Sequence, residues 1–427
     1  MPRTHLLSPL LATAAIGLAA APAANGQALS PPASSDPVAV WFDASTQAIA
    51  AAGYPGAGNT QVTATRTWAI AWGAADTAIA ALPRTLTPAG RSIATRAALD
   101  AAVHDALVEL LPGSKAVADD ARRRTLALLP GSRAKAAGIA AGVKAAAAAV
   151  TARKGDGLDV SAVNPPFTPP APEIGVWRPT PPSFGPAVQA GQGQAKPFII
   201  PDVAARFVAA PPPALDSPTE IADLQEIDAV GSLNSKVRTP DQTDIAKFWS
   251  QTSVAGFTPI VRATIVGATR PIAPRVKVVA LFNKVLVDAQ IAIYASKYKY
   301  LRWRPVTALT TDDHNPATPY DPAFRPLINT PLHPEYPSGH AGFAGAAEQT
   351  LRTLIGPHPA KPIVVTSLNA PGVYRTYAEW AQATQDNIDA RVWEGIHLRS
   401  TDVTSAEYGR GIARAELKAA GVSGPLE

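Results

Sequence analysis

The chain has 427 residues, of which 47% are hydrophobic and 17% charged, with 43 prolines, no cysteine and a single methionine, Met1. The lack of cysteine excludes disulfides, iron–sulfur clusters, thiolate zinc sites, cysteine nucleophiles and cysteine-ligated haem. The net charge of +5 is small for this length, so no nucleic-acid partner is expected. Aromatic residues make up only 6%, and the apolar fraction is rich in alanine, which favours helices over sheets.

Residues 1–26 have the pattern of a secretory signal peptide. Arg3 and His5 precede an apolar run from Leu6 to Ala21, and small residues follow up to Gly26. This run is shorter than the roughly 20 residues that a membrane span needs, and no later stretch reaches 18 apolar residues without a charge. We therefore predict an exported protein, periplasmic or extracellular, with no stable membrane anchor.

Residues 27–163 are predicted to form an N-terminal helical region. Alanine-rich segments between Val38 and Ala152 are separated by helix-breaking residues at Gly53–Pro55, Pro83, Pro112 and Pro130–Gly131. Charges in these segments are sparse, so most helix faces are expected to be buried against one another.

Residues 164–238 are predicted to be a proline-rich connecting segment. From Asn164 to Pro218 the chain has 15 prolines in 55 residues, which is incompatible with regular helix. A disordered linker is one interpretation. However, large apolar residues are interleaved with the prolines, and disordered linkers are poor in such residues. They are Trp177, Phe184, Phe198, Ile199, Ile200 and Phe207. We therefore predict an ordered coil across the helices.

Residues 239–427 are predicted to form a C-terminal helical bundle, packed as one unit with the N-terminal region. Helical segments are expected at Thr239–Phe248 and Arg275–Tyr300, with a last helix near Ser405–Ala420. The predicted fold class is all-α, built from helical bundles with a long ordered proline-rich coil. The oligomeric state stays open.

Two cations stand at the end of the long helical segment. Lys297 and Arg304 are seven residues apart, a spacing that places both on one face of a helix, and Pro305 puts Arg304 near its end. The preceding run Ile291–Ala295 is apolar, which indicates a buried helix. Buried cations need an anionic partner. A solvated surface is the alternative interpretation of this spacing.

A second cluster runs from His333 to a stretch of small helical residues. Pro337 and Ser338 come directly before a helix expected to begin around Gly339. Its free N–H groups and positive dipole end would form an anion site, with the Ser338 hydroxyl beside it and His340 as a titratable neighbour. Alone, such a turn is also consistent with a plain helix cap.

The third cluster holds Arg391 and His397. On one continuous helix, positions six apart point about 120° away from each other. Gly395 offers a place for the chain to bend so that both side chains converge. A hydrogen-bonded histidine in the core is the alternative interpretation of His397.

The three clusters together match a known signature. The order is Lys297-x6-Arg304-Pro305, Pro337-Ser338-Gly339-His340 and Arg391-x5-His397, with 31 residues between Pro305 and Pro337 and 50 between His340 and Arg391. This pattern resembles the vanadium-dependent haloperoxidases, which share fold and site with type 2 phosphatidic acid phosphatases and bacterial acid phosphatases. Weaker similarities are nearest the secreted bacterial haloperoxidase-like branch; they lie at Arg66–Asp76, Trp177–Pro182, Arg238–Gln242 and Phe248–Trp249.

The resemblance implies a set of residues that hold a tetrahedral oxyanion. These are Lys297, Arg304, Arg391, Ser338 and the amide of Gly339. Three cations, a hydroxyl and a helix N-terminus also suit a phosphate or vanadate ion on physical grounds. We call these five residues the oxyanion site.

The resemblance also implies roles for three histidines. His397 corresponds to the residue that bonds axially to vanadium, or that attacks phosphorus in the phosphatases, and it must be neutral at that nitrogen. His340 corresponds to the general acid/base. His333 corresponds to a possible halide-site position, where bromide-oxidising members tend to have histidine and chloride-oxidising members phenylalanine.

The sequence departs from the family pattern at two positions. The family often has serine before the last arginine and aspartate four residues after the last histidine, whereas this chain has Ala390 and Thr401, with Asp402 one place later. A carboxylate beside a histidine sets its tautomer. Its displacement puts the nucleophilic role of His397 in a phosphatase in more doubt than the oxyanion site.

Three functions are therefore considered. The first is a secreted vanadate-dependent haloperoxidase that uses hydrogen peroxide and halide, with bromide favoured. The second is a soluble acid phosphatase that acts on phosphate esters through a phosphohistidine at His397 and needs no cofactor. The third is a non-catalytic oxyanion-binding helical protein. Apart from Met1 the chain has no sulfur, and sulfur side chains are the ones that peroxide and hypohalous acid attack most readily, which favours the first.

Overall fold

Helices account for 59% of the protein, which confirms the predicted helical fold class. The computed structural model describes residues 35–52, 60–266 and 270–426. The predicted signal peptide and the break at Gly53–Pro55 lie outside the described residues. From Ser35 onward the chain forms one compact unit.

Fifteen α-helices follow one another in the described residues, with short 3₁₀ turns at Pro112–Ser114 and Gln192–Gln194. They are α1 (Pro37–Ala51), α2 (Gln61–Ala80), α3 (Pro88–Leu110), α4 (Lys115–Leu126), α5 (Arg133–Ala152), α6 (Val160–Val163), α7 (Val203–Arg206), α8 (Pro218–Val230), α9 (Pro240–Trp249), α10 (Ser253–Ile265), α11 (Ile272–Tyr300), α12 (Pro305–Leu309), α13 (Gly339–Leu354), α14 (Trp380–Trp393) and α15 (Arg399–Ala419).

The N-terminal helices begin and end at residues that act as helix caps or helix breakers. Thr87 and Ser132 accept hydrogen bonds from the first-turn amides of α3 and α5, as capping side chains do. Breaks occur at Pro83, Pro112 and Pro130–Gly131, as predicted. Helix α5 packs closely on α3 because its glycines leave room for the neighbouring backbone: a Cβ at Gly138 would lie 2.3 Å from a carbonyl oxygen of α3.

The proline-rich segment is ordered, as predicted. The amides of Phe198 and Ile199 donate to the carboxylate of Asp288 in α11, at 2.6 and 2.7 Å. Arg153 at the end of α5 donates to the carbonyl of Pro197 at 2.8 Å. Within residues 164–238 the structure adds two helices that composition did not indicate, α7 and α8.

Helix α11 is the central helix of the core. By length and composition alone, α5 and α11 could each cross a membrane. In α11, 89% of the most apolar stretch is buried inside the protein, whereas in α5 the buried share of that stretch is 22%. One hydrophobic core extends from Val38 in α1 to Leu417 in α15, with α2 on one side of α11 and α13 on the other. The N-terminal and C-terminal helical regions therefore share this core.

Two short strands depart from the all-α prediction. β1 (Ile363–Ser367) and β2 (Ala370–Tyr377) pair antiparallel, with Ile363 opposite Tyr377. β1 alternates buried and exposed residues, so one face of the hairpin packs on the core. The hairpin lies between α13 and α14, where sequence analysis predicted only loops and helices.

Two fully buried carboxyl groups make stability depend on pH. Burial raises the pKa of Asp288 to about 6, and burial together with repulsion from Asp288 raises that of Glu416 in α15 to about 9. A raised pKa means that the folded state holds the proton more tightly than the unfolded state does. The stabilisation from this proton is therefore complete below the ordinary pKa of 4.5 and is lost as pH rises toward 9. We expect Glu416→Gln to raise the melting temperature at pH 8 and to leave it unchanged near pH 4. Thermal unfolding followed by circular dichroism measures this.

The matched control is Glu407→Gln, an exposed glutamate of the same helix whose pKa is lowered by bonds from Arg414 and Arg410. This variant should show no gain at pH 8. Equal melting temperatures for Glu416→Gln and the parent at pH 8 would show that the buried pair imposes no cost there.

Candidate active site

The N-terminus of α13 is buried at the candidate site. Ser338 caps this helix, accepting a hydrogen bond from the amide of Ala341 at 3.3 Å, and its own amide donates to Ser405 Oγ of α15 at 2.8 Å. The first amides of the helix, beginning with that of Gly339, have no acceptor within it. A Cβ at Gly339 would lie 3.3 Å from the hydroxyl of Tyr294. Glycine therefore keeps this backbone accessible beside the tyrosine ring.

Lys297 and Arg304 are both fully buried behind the loop that leads into α13. Lys297 Nζ donates to the carbonyls of Pro334, Glu335 and Pro337, at 2.8, 3.0 and 2.5 Å. These bonds hold the ammonium group directly behind the N-terminus of α13.

The prediction that both cations share one helical face is wrong. Helix α11 ends at Tyr300, and Leu301 takes a left-handed conformation with φ of 49°. The carbonyl of Leu301 then accepts the amide of Trp177 from the proline-rich segment at 2.7 Å, and Arg304 becomes the residue before α12. The helix thus ends four residues before Arg304, where the chain pairs with this segment.

Arg304 connects two of the histidines. Its Nη2 lies 3.0 Å from His333 Nδ1 and its Nη1 lies 3.0 Å from His397 Nε2. Further bonds at 2.8 Å go to the carbonyls of His333 and Ile396. Because a guanidinium group only donates, both histidine nitrogens must accept.

Arg391 and His397 converge through the predicted bend. Helix α14 ends at Trp393, and Gly395 has φ of +78°. A Cβ at Gly395 would lie 2.5 Å from the carbonyl oxygen of Gly231, so glycine is required both for the turn and for this close approach. Arg391 donates to the carbonyl of Trp249 and to Glu394 Oε1, the latter at 2.5 Å. In the described part of the chain, its Nε has no acceptor.

Burial dominates the electrostatics of the three cations. It lowers the pKa of Lys297 well below its ordinary value and that of Arg304 to about 10, and it also lowers the pKa of Arg391. The carboxylates of Glu335 and Asp402 oppose this shift for Lys297 and Arg304. Three cations held in a fully buried site favour an anionic ligand.

The histidines have defined proton positions. Burial, followed by the neighbouring cations, lowers the pKa of His333, His340 and His397 well below the ordinary value, so all three are neutral. His340 Nε2 lies 3.1 Å from the carbonyl of Gln251, which can only accept, so the proton is on Nε2, and no described residue bonds to Nδ1. His397 Nδ1 lies 2.9 Å from Glu335 Oε1, so its proton is on Nδ1.

Three acidic residues near the site have different partners. Glu335 bonds to His397, whereas Glu394 pairs with Arg391 and Asp402 lies beside the hydroxyl of Ser338. Burial raises the pKa of all three carboxyl groups, to about 8 for Glu394 and well above the ordinary value for Asp402. Among the described residues, Glu335 is therefore the carboxylate that contacts His397, and His340 is bonded to a backbone carbonyl.

A cavity of about 850 Å³ leads to the site. His333, His340 and Arg391 line it together with Tyr294, and the proline-rich segment contributes further walls, including Pro165 and Val188. The oxyanion site and both catalytic histidine candidates thus lie in the core of the C-terminal half, with access along the proline-rich segment.

Comparison with known proteins identifies the region in which these residues lie. Residues 277–421 match the family model described as the VCPO second helical-bundle domain, a range that contains all three clusters. Residues 277–421 therefore correspond to the second helical-bundle domain of that family. No curated protein matches the sequence significantly.

Solved structures of the superfamily have the same fold. A bacterial vanadium-dependent iodoperoxidase superposes with a TM-score of 0.72 and 21% identity, over 93% of this chain and 99% of that one. A bacterial vanadium-dependent chloroperoxidase in its holo form gives a TM-score of 0.66 and 17% identity, over 86% of this chain and 95% of that one. An apo form of a bacterial vanadium-dependent chloroperoxidase gives a TM-score of 0.63 and 18% identity, over 83% of this chain and 92% of that one. The vanadium haloperoxidase fold therefore extends over most of the chain.

Sequence analysis did not single out Tyr294 and Gln189, which extend the candidate site. The Tyr294 hydroxyl donates to Gln189 Oε1 at 3.1 Å and lies 3.4 Å from His333 Nε2. Gln189 has φ of 64° in the proline-rich segment and also bonds to Gln192 at 2.8 Å. Tyr294 lies one helical turn before Lys297. This spacing is the one sequence signal that could have identified Tyr294.

Proposed function

We propose that the protein is a vanadate-dependent haloperoxidase that oxidises halide with hydrogen peroxide. The observation that carries the proposal is that three buried cations act electrostatically on His397 and that one of them, Arg304, donates to its unprotonated Nε2. The reaction H₂O₂ + Br⁻ + H⁺ → HOBr + H₂O consumes one proton and needs no redox-active side chain.

The residues present fit vanadate. Lys297, Arg304 and Arg391 would hold its oxygens together with the Ser338 hydroxyl and the Gly339 amide, and His397 would bind it through Nε2. The unpaired Nε of the buried Arg391 is a donor for which vanadate would supply the acceptor. When bound, vanadate supplies Lewis-acid chemistry that makes peroxide electrophilic. Each charge-assisted hydrogen bond would contribute roughly 1.5–3 kcal/mol.

His340 is the proposed general acid/base. Its ring lines the cavity and is neutral, and in the described part of the chain its Nδ1 has no hydrogen-bond partner, so this nitrogen has a lone pair for the proton of a peroxide that enters. The bond from Nε2 to Gln251 fixes the ring while the proton moves.

His333 is the proposed halide-site residue, with bromide favoured. Its Nδ1 lies 3.0 Å from Arg304 Nη2 and 3.2 Å from the carbonyl of Pro334; the shorter contact, with a group that only donates, favours the proton on Nε2, facing Tyr294. Its ring packs edge-on against that tyrosine, with ring centroids 5.4 Å apart, and it lines the cavity. A neutral N–H donor at this position would stabilise a halide beside the oxyanion site.

A second candidate function is hydrolysis of phosphate monoesters through a phosphohistidine at His397. The observation in its favour is the bond between Glu335 and His397 Nδ1, since a nucleophilic histidine needs a partner that leaves Nε2 unprotonated. This bond supplies the orienting carboxylate that the sequence pattern had displaced.

We also propose that the protein acts outside the cytoplasm. The support comes from the signal-like pattern of residues 1–26 and from the absence of cysteine and of methionine beyond Met1. Fractionation of cells that express the full chain, followed by N-terminal sequencing of the mature protein, tests this proposal.

The two enzymatic proposals are separated by paired assays. With added orthovanadate, we expect peroxide-dependent bromination of a phenolic indicator dye, together with bound vanadium by elemental analysis. Without vanadate, hydrolysis of p-nitrophenyl phosphate is measured. Hydrolysis together with a lack of bromination at saturating vanadate would overturn the first proposal in favour of the second. Oxyanion binding with neither turnover would indicate a binding protein.

A further inference from the structure

Glu335 is a fully buried carboxylate whose two oxygens have three donors. Its Oε1 accepts from His397 Nδ1 at 2.9 Å and from the amide of Leu398 at 3.1 Å. Its Oε2 accepts from the hydroxyl of Thr401 at 3.0 Å. The loop before α13 is thereby bonded to the turn that carries His397 and to the first turn of α15.

These bonds determine which nitrogen of His397 faces the oxyanion site. The carboxylate can only accept, so the proton of His397 stays on Nδ1. The donor from Arg304 at Nε2 agrees with the same tautomer. The bonds from Leu398 and Thr401 prevent the carboxylate from rotating away, so the orientation of the imidazole ring is also fixed.

Thr401 occupies the position at which the sequence departs from the resembled pattern. Instead of supplying a carboxylate from the His397 segment itself, the chain places a hydroxyl there, and that hydroxyl binds Glu335 from another segment. The carboxylate is thus contributed by a residue 62 positions earlier in the chain.

We propose that Glu335 is the positioning residue of His397, holding it as the Nδ1–H tautomer with the Nε2 lone pair presented to the oxyanion site. The proposal deepens the proposed function and rests on it for the use of that lone pair. The competing role is that Glu335 only neutralises Lys297 and Arg304, both of which interact with it electrostatically.

Two conservative variants separate these roles. Glu335→Gln keeps an oxygen acceptor at the same reach but loses the charge. Glu335→Asp keeps the charge but is one methylene shorter, so it cannot reach Nδ1 from the same backbone. Positioning predicts that the glutamine variant behaves like the parent and that the aspartate variant is impaired. Charge neutralisation predicts the opposite.

The first readout needs neither vanadate nor turnover. In protein labelled with ¹⁵N-histidine, the buried Nδ1–H of His397 should give a downfield, slowly exchanging proton resonance, assigned by its absence in His397→Ala. We expect it to persist in Glu335→Gln and to be lost or shifted strongly upfield in Glu335→Asp. An unchanged resonance in Glu335→Asp overturns the proposal.

The second readout is calorimetric binding without peroxide or halide. Vanadate affinity should fall about 10–100-fold in Glu335→Asp, the usual cost of losing a hydrogen-bond partner of a ligating histidine. In Glu335→Gln it should stay within about threefold of the parent, because this variant keeps the bond to His397 Nδ1. Phosphate, which needs no Nε2 bond for simple binding, should bind both variants like the parent. Equal vanadate losses in both variants overturn the proposal.

The two proposals fail separately. If the parent protein binds vanadate and does not brominate, the proposed function is wrong, while the ¹⁵N resonance still decides the role of Glu335. Melting temperatures of both variants within a few degrees of the parent establish that the fold is intact for these comparisons.

Discussion

Replacing His397 with alanine is expected to abolish vanadate-dependent bromination, with a loss of about 10³-fold or more. His397 Nε2 is unprotonated and accepts a hydrogen bond from Arg304, a cation of the oxyanion site. The opposite nitrogen, Nδ1, is bonded to the carboxylate of Glu335. No other imidazole in the described residues has this combination. Turnover of bromide and hydrogen peroxide with saturating orthovanadate measures the loss.

His314 provides the matched control, because its side chain is 83% exposed and belongs to no part of the site. His314→Ala should brominate like the parent. Phosphate binding by His397→Ala should survive, since the three cations and the N-terminus of α13 remain. Bromination by His397→Ala within tenfold of the parent would mean that the site has been misassigned.

Replacing Gly409 with alanine is expected to destabilise the fold by about 3 kcal/mol or more, even though alanine is the better helix former by about 1 kcal/mol. A Cβ at this position of α15 would lie 2.0 Å from the carbonyl oxygen of Gly342 in α13, and backbone cannot move aside as a side chain can. The two helices would have to separate. Because Ser405 of α15 bonds to the amide of Ser338, phosphate affinity should fall as well. Thermal unfolding and calorimetry measure the two effects.

Gly411→Ala is the control within the same helix. A Cβ there has Arg414 Nη2 as its nearest neighbour, at 4.0 Å. This variant should gain about 0.5–1 kcal/mol from helix propensity alone. If Gly409→Ala were as stable as Gly411→Ala, the close approach of α13 and α15 would not be required.

The parts of the fold that sequence analysis predicted well are those that local chemistry determines. Pro83 and Pro112 interrupt helices wherever they fold, because proline lacks an amide proton. The apolar run of α11 indicates a buried helix, since so many aliphatic side chains are unfavourable in water. The prolines mixed with aromatic residues indicate order because such side chains must be buried.

The β hairpin and the end of α11 were not predictable in this way. β1 and β2 are stabilised by pairing with each other and by packing on the core, and strand propensity depends strongly on such context. Leu301 has no local preference for a left-handed conformation. Its carbonyl accepts a bond from Trp177, more than a hundred residues earlier, and this bond places Arg304 beyond the helix.

By itself, the sequence determined which chemical groups the site contains and in what order, because the three clusters carry their cations, hydroxyl and histidines within short, recognisable stretches. The tertiary structure alone decided how those groups face one another. Glu335 reaches His397 across 62 residues, and Arg304 contacts both His333 and His397 only because α11 ends early. Proton positions on the histidines follow from these long-range contacts, since a tautomer is set by the partner on the opposite nitrogen and no local pattern specifies that partner.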